Sequence, residues 1–178
     1  MKLARVRLRN FRCYQTETAV DIGDITALVG KHDSGKSSIM DALAIFFDDT
    51  APDAEDPSMG GNKADVRIIC EFEEFPHSLV IDVDYPTNLA SEYLFNEQGR
   101  LEIHKVYNGL LKSPKLTGVY AYAMHPTADG VADLLLLKNA DLKKRAQELG
   151  IDIKGIDTKI NTQLRRRIWE SIPDLRIA

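Results

Sequence analysis

The densest chemistry in the chain lies in eleven consecutive residues, Leu28-Val29-Gly30-Lys31-His32-Asp33-Ser34-Gly35-Lys36-Ser37-Ser38. They match the spacing G-x-x-x-x-G-K-S/T at every fixed position, which is the phosphate-binding P-loop pattern. Its two glycines let the backbone turn tightly enough to aim successive N–H groups at phosphate oxygens, and Lys36 adds a mobile cation for the terminal phosphates. Ser37 is placed to hold Mg²⁺ and Ser38 to continue the cradle. A cradle of this kind needs a strand before it and a helix after it. The apolar run Ile25 to Val29 supplies the expected strand, and Ile39, Leu43, Phe46 and Phe47 recur at helical spacing over an expected helix Lys36 to Phe47. The N-terminal dipole of that helix would face the nucleotide.

Hydrolysis of a nucleotide also needs an apolar strand that ends in a carboxylate, to complete Mg²⁺ binding and position water. Leu79-Val80-Ile81-Asp82 imitates one, but Val83 stands where a catalytic Glu would follow and prolines flank the segment, so it reads as a decoy. Asn62-Lys63-Ala64-Asp65 spells the guanine-reading N-K-x-D, yet it precedes a strand instead of following one. His32, His77, His104 and His125 are scattered, with no partner at metal-ligand spacing. Cys13 and Cys70 are far apart and read as core thiols of a reducing compartment.

The elements that must position the loop follow from periodicity. Ala4, Val6 and Leu8 alternate with Arg5, Arg7 and Arg9, which predicts a strand with a basic outer face. Arginine on an exposed strand also discourages edge pairing. Asn10-Phe11-Arg12 interrupts the alternation, a weaker strand follows over Thr16 to Ile22, and Gly23-Asp24 turns into the P-loop strand, so three strands are expected before the first helix. Residues 48–64 are rich in acid, Pro and Gly without apolar period, and read as an exposed loop with freedom to move. Strands are expected over Asp65 to Glu73, Ser78 to Val83 and Val119 to Met124. A hairpin is expected in which Tyr93 to Phe95 and Leu101 to Tyr107 flank Asn96 to Arg100. The middle of the chain is thus an antiparallel meander. Helices are expected over Val131 to Leu137, over Asn139 to Leu149 with Gly150 as its stop, and from Ile160 to a stop at Pro173. The adjacent Arg165, Arg166 and Arg167 in the last helix spread around its circumference and read as a solvated face.

The chain has 178 residues, 44% of them hydrophobic and 28% charged, with net charge −4, the balance of a soluble globular protein. That charge excludes a global attraction for nucleic acid or acidic membrane and leaves only local basic patches to bind them. The start lacks a signal-peptide core and the apolar runs are too short to span a bilayer, so a cytoplasmic location without membrane contact is expected.

With the basic strand, Asn10-Phe11-Arg12, the P-loop and its helix in this order, the chain resembles the opening of the ABC-type ATPase head shared by SMC, RecF and related DNA-repair proteins. Within that group it is most similar to the OLD family (overcoming lysogenization defect), ATP-dependent endonucleases with an N-terminal ATPase and a C-terminal Toprim nuclease. The Leu28 to Ser38 stretch carries this resemblance, with Leu134 to Arg145 in support. It implies a mixed α/β P-loop NTPase fold, ATP and Mg²⁺ as ligands, and Arg12 reaching the nucleotide. It also implies a DNA-facing surface built partly from Arg5, Arg7 and Arg9, and a homodimer or higher homo-oligomer that sandwiches ATP. The family often has Asn where this chain has His32. Its Q-loop, signature motif and Walker B carboxylates find no counterpart here and are expected after residue 178, which makes residues 1–178 the N-terminal part of such a head. Its expected stretches are 1–47 (strands, P-loop and first helix), 48–64 (acidic loop), 65–125 (antiparallel strands) and 126–178 (helices). The expected activity is ATP hydrolysis coupled to a nuclease in DNA repair or anti-phage defence, with this segment inactive alone. Two readings from other classes stand beside it: a nucleotide-dependent interaction module that does not hydrolyse ATP, and a P-loop phosphotransferase.

Overall fold

Alternation of apolar and charged residues builds the main sheet, and one amphipathic helix covers it. The computed structural model describes every residue except Asp33, Ser78, Val83, Asp84 and Asp174, and for Leu79–Asp82 the backbone alone. The elements in chain order are β1 (Lys2–Arg9), β2 (Thr18–Asp21), α1 (Lys36–Phe47), β3 (Val66–Glu73), β4 (Leu79–Asp82), β5 (Tyr85–Thr87), β6 (Leu101–Asn108), β7 (Lys115–Tyr122), a 3₁₀ turn at Leu134–Leu136, α2 (Asn139–Glu148) and α3 (Asn161–Glu170). They fall into two units that interleave along the chain, one of Met1–Phe75 with Arg100–Tyr122 and one of Pro76–Gly99 with Ala123–Ala178.

The first unit is a five-stranded sheet in the order β2-β1-β3-β6-β7, antiparallel at every pairing. Antiparallel pairing is as expected, but the sheet is not the expected meander, because it takes in β1 and β2 and leaves β4 in a separate ribbon with β5. Ala4, Val6 and Leu8 of β1 are buried, and Val66, Ile68, Cys70 and Phe72 of β3 continue the same apolar face. Against it α1 sets Ile39, Ala42, Ile45 and Phe46. Each such large apolar side chain contributes about 1.5–3 kcal/mol when fully buried, so α1 is fixed by its packed face and leaves its first turn available to a ligand. Burial pushes the Cys70 thiol up to about 12, which makes it an inert part of this core.

The second unit holds the β4–β5 ribbon and a core of Val131, Leu134, Leu142, Ala146, Leu164, Ile168 and Trp169 around α2 and α3. Gly150, at φ 68°, ends α2 as expected, with the Ile151 N–H returning to the Ala146 carbonyl at 2.9 Å. Trp169 Nε1 donates to the Val131 carbonyl at 3.2 Å.

Several expectations fail, each for a local reason. Ile25 to Val29 forms no strand, so two strands and not three precede α1. A run that is apolar on both faces suits a strand of a sheet covered on both faces, but Ile25 is 95% and Val29 92% exposed and no described strand pairs with them. The Tyr93 to Phe95 hairpin arm is also absent. The turn exists, with Gly99 at φ 73° and its N–H on the Asn96 carbonyl at 2.9 Å, but β6 already has β3 on one edge and β7 on the other. The strand expected over Val119 to Met124 starts earlier, at Lys115, and ends at Tyr122. Val131 to Leu137 yields only the Leu134–Leu136 3₁₀ turn, since so short a segment does not overcome helix nucleation. The strand expected from Ser78 to Val83 is seen as Leu79–Asp82, its two end residues lying outside the described ones.

Residues 48–64 are irregular as expected, but not free. Pro52, Asp56, Pro57 and Ser58 are buried, and the Ser58 N–H donates to the Asn10 carbonyl at 2.9 Å. Of the three adjacent arginines, Arg165 is not solvated at all. Its side chain and that of Glu92 are each 1% exposed, and they pair at 2.8 and 2.9 Å. Arg166 is exposed beside Glu170, and Arg167 donates to the Lys154 carbonyl at 3.2 Å. No helix among the described residues is long and apolar enough to cross a membrane.

Candidate functional site

Helix α1 begins at Lys36, and the residue before it, Gly35, turns the chain at φ 87°. A Cβ there would stand 2.6 Å from the Tyr14 hydroxyl and 2.7 Å from the Cys13 sulfur, so both conformation and space require glycine. The Tyr14 hydroxyl donates to the Gly35 carbonyl at 3.2 Å and braces the loop from outside. Burial, and then the Cys13 thiol, raises this phenol above its ordinary value, so it stays a neutral donor at pH 7. No side chain caps α1 and no acid occupies its first turn. Its first N–H groups and positive dipole end are therefore open to an anion.

Lys36 lies across the loop it belongs to. Its ammonium donates to the Gly30 carbonyl at 2.8 Å, the Lys31 carbonyl at 2.5 Å and the Ser34 hydroxyl at 3.0 Å, one acceptor for each of its protons. A Cβ at Gly30 would meet Ser34 Oγ at 2.9 Å and push that hydroxyl from its place on the Lys36 ammonium. The loop surrounds a cavity of about 460 Å³ lined by Arg12, Cys13, His32, Ser34, Gly35, Lys36, Ser37 and Ser38. The structure thus brings Gly30, Lys31, His32 and Ser34 to Ser38 of the sequence-predicted residues to one place, with Arg12 among them. Asp33 lies outside the described residues. The exposed Ser37 hydroxyl at the open helix start is the oxygen donor that a hard cation such as Mg²⁺ takes alongside phosphate oxygens, so the donor set fits. Bound there, the ion would neutralise phosphate charge. A second cavity, of about 510 Å³ and lined mainly by apolar residues, adjoins Lys36 and Ser37 on the side of Ile22, Leu28, Ile39, Met40 and Leu43.

Arg12 enters the site from the turn that breaks β1. Its Nε donates to Asp56 Oδ1 at 2.7 Å and its Nη1 to Asp41 Oδ2. Burial alone would lower its pKa, but the hydrogen bonds to Asp56 and Asp41 outweigh burial and raise it. Sequence reading missed four participants: Cys13, Tyr14, Asp41 and Asp56. Cys13, taken as a core thiol, is exposed and lines the cavity. Asp41 was findable, because four residues after Ser37 it shares that face of α1. Nothing in the sequence marked the others.

Arg5, Arg7 and Arg9 do face away from the buried side of β1, but carboxylates meet them. Arg5 pairs with Asp21 at 2.6 Å, Arg7 with Glu17 at 2.9 Å, Glu71 at 3.3 Å and Glu102, and Arg9 with Asp65 at 3.8 Å. None of the three lines the phosphate cavity. Asp82 ends β4 in a two-stranded antiparallel ribbon with β5, unlike the strand a hydrolytic carboxylate needs. Asn62 turns its side-chain oxygen to the Ala64 N–H at 3.1 Å, and Asp65 accepts from Arg67 at 2.7 Å, so two members of the N-K-x-D string shape their own loop.

Comparison with known proteins bears on the family to which the chain belongs. An uncharacterized protein of Methanocaldococcus jannaschii is 25% identical over 136 residues, which cover 64% of this chain and 41% of that protein. The chain therefore spans about two fifths of the length of this curated relative. A family model described as an AAA ATPase domain matches residues 1–174. The chain, a mixed α/β fold with an antiparallel sheet, belongs to the AAA ATPase domain family.

Proposed function

We propose that this chain is the Mg²⁺-ATP-binding segment of an OLD-like, ABC-type ATPase, an ATP-dependent endonuclease acting on DNA in repair or anti-phage defence. The observation that carries the ATP-binding part is the single cavity that gathers the open start of α1, Lys36, Ser37 and Arg12. ATP serves as a conformational switch: nucleotide bound between two copies favours one arrangement of the parts attached to them. The endonuclease, DNA and homo-oligomer in this reading rest on the resemblance of the Leu28 to Ser38 stretch and its flanks to OLD proteins. Catalytic carboxylates and a Toprim nuclease belong, in this proposal, to the remainder of the protein.

The segment by itself binds nucleotide without turning it over. Titration of the 178-residue chain with Mg²⁺-ATP in a calorimeter, alongside a phosphate-release assay, tests both halves. Saturable binding without phosphate release is expected. No binding overturns the cradle assignment, and robust release lost in Asp82→Asn overturns the assignment of the catalytic carboxylates elsewhere.

A further inference from the structure

The turn that delivers Arg12 is strained, and its surroundings show what the strain is for. Asn10 at φ 56° and Arg12 at φ 47° both lie in the left-handed region, where a non-glycine residue costs roughly 1–3 kcal/mol and persists only under external constraint. The constraints come from residues 48–65. Asn10 Nδ2 donates to the Asp65 carbonyl at 2.8 Å, its Oδ1 accepts from the Asn62 N–H at 3.0 Å, and the Arg12 N–H donates to the Asp56 carbonyl at 2.6 Å. Asp56 then holds the side chain as well, through Nε at 2.7 Å. Its own carboxylate is 7% exposed and pinned by the Asp53 N–H on Oδ2 at 2.7 Å. Backbone and guanidinium of Arg12 are thus fixed by one residue that cannot itself move far.

The other carboxylate on Arg12 is of a different kind. Asp41 is 50% exposed and sits one helical turn beyond Ser37 on α1. It takes Nη1, at the end of the guanidinium, while Nε stays with Asp56. Arg12 itself is 33% exposed and lines the phosphate cavity. A guanidinium offers phosphate the same planar fork that it offers a carboxylate, so Asp41 occupies a donor that a nucleotide phosphate would use.

We propose that Asp56 is a positioning residue that aims Arg12 at the phosphate cavity, and that Asp41 is a resident competitor which an incoming nucleotide phosphate displaces from Arg12 Nη1. The acidic loop thereby becomes part of the nucleotide site, and the strength of the Asp41 contact sets how readily ATP enters. This inference rests on the ATP-binding reading above.

Mg²⁺-ATP affinities of the single variants and of the same changes in an Arg12→Ala background test it, with folding checked by near-UV circular dichroism. Asp41→Asn removes a competitor and a like charge, and is expected to tighten ATP several-fold. Asp56→Asn loosens the aim of Arg12 and is expected to weaken ATP roughly tenfold, the scale of one charge-assisted hydrogen bond. Both effects vanish in Arg12→Ala. If Asp41→Asn leaves affinity unchanged or weakens it, the competitor role is overturned. If Asp56→Asn has the same effect with and without Arg12, the positioning role is overturned. Should Asp56→Asn fail to fold, Asp41→Asn and its Arg12→Ala pair still decide the proposal. Lys36→Ala separates the two readings: retained ATP affinity there strikes at the cradle itself, whatever Asp41 and Asp56 do.

Discussion

Arg165 and Arg12 bring the same guanidinium to the same kind of carboxylate, yet one pair is sealed and the other open. Arg165 and Glu92 are each 1% exposed and satisfy one another through two contacts, at 2.8 and 2.9 Å, with Thr87 Oγ1 adding a third hydrogen bond to Glu92 at 2.9 Å. Arg12 is 33% exposed and divides itself between a buried Asp56 and an exposed Asp41 at the edge of a cavity. Burial of both partners makes an ion pair a structural lock, because neither can be released without leaving a bare charge in a dry place. Burial of one partner alone leaves a cation that is aimed but exchangeable. The chemistry of the groups is equal, so the surroundings decide which pair is a site.

The sealed pair gives the largest expected effect. Glu92→Gln removes the negative charge from an ion pair whose two side chains are each 1% exposed inside the second unit, and should lower stability by up to about 3–5 kcal/mol. Urea unfolding followed by Trp169 fluorescence measures it, since that ring belongs to the same core. A loss below about 1 kcal/mol, the range of an exposed pair, would mean that the pair is not sealed.

Next comes the open site. Lys36→Ala should leave stability without nucleotide within about 0.5 kcal/mol of the parent, because Lys36 holds only loop acceptors. It should erase the stabilisation by ligand, about 2.7 kcal/mol at a hundredfold excess of ATP over Kd. Thermal unfolding with and without Mg²⁺-ATP reads both quantities. A variant that still gains from ATP breaks the contrast between lock and site.

This contrast was only half legible in the sequence. The P-loop was readable because its glycines and lysine act through backbone and spacing, which are local, and α1 appears with the expected Lys36 and Phe47 bounds. The inward face of β1 was readable for the same reason, since alternation is a property of neighbours. Asp56 was not, because it lies forty-four residues from Arg12 and shares no period with it. Arg165 was misread because three adjacent arginines look solvated until Glu92, seventy-three residues away, claims one of them. The failed Ile25 to Val29 strand and Tyr93 to Phe95 arm belong to this class too. Strand propensity is local, whereas a free edge to pair with is decided by the whole sheet.

Between lock and site stand the arginines of β1, which sharpen the comparison. Arg7 reaches Glu71 and Glu102, both nearly buried, whereas Arg9, 44% exposed, reaches only Asp65 among the described carboxylates, at 3.8 Å. Arg7→Gln should therefore destabilise by about 1–3 kcal/mol, the scale of a charge-assisted hydrogen bond to a buried carboxylate, although Glu71 keeps Arg100 at 3.2 Å and Glu102 keeps His104 at 2.6 Å. Arg9→Gln should stay within about 0.5 kcal/mol. If this face carries DNA, Arg9→Gln is the variant that lowers the salt slope of DNA binding by the intact protein without unfolding it, by up to about one unit. Equal stability losses at Arg7 and Arg9 would show that burial of the partner does not rank these pairs.

The smallest expected effect is at Arg145 and Asp133, which pair through contacts of 2.6 and 3.1 Å while the carboxylate remains 47% exposed. The hydrogen bond from Arg145 holds the Asp133 carboxyl below its ordinary value of 3.8, against a weaker opposing pull from burial. A carboxyl with a depressed folded-state pKa stabilises the fold above its unfolded value, and that contribution is lost as pH falls through the folded one. Solvent screening of so exposed a pair limits the contribution to a few tenths of a kcal/mol, at most about 1. Asp133→Asn should accordingly lower the urea midpoint slightly at pH 7, and the two proteins should converge below pH 3.8 as the parent's carboxyl is protonated. Exposure places this pair nearer to Arg12 and Asp41 than to the sealed lock. A difference that persists undiminished in acid would show that the Asp133 side chain acts through packing and not through its charge, and would move this pair out of the series that burial orders.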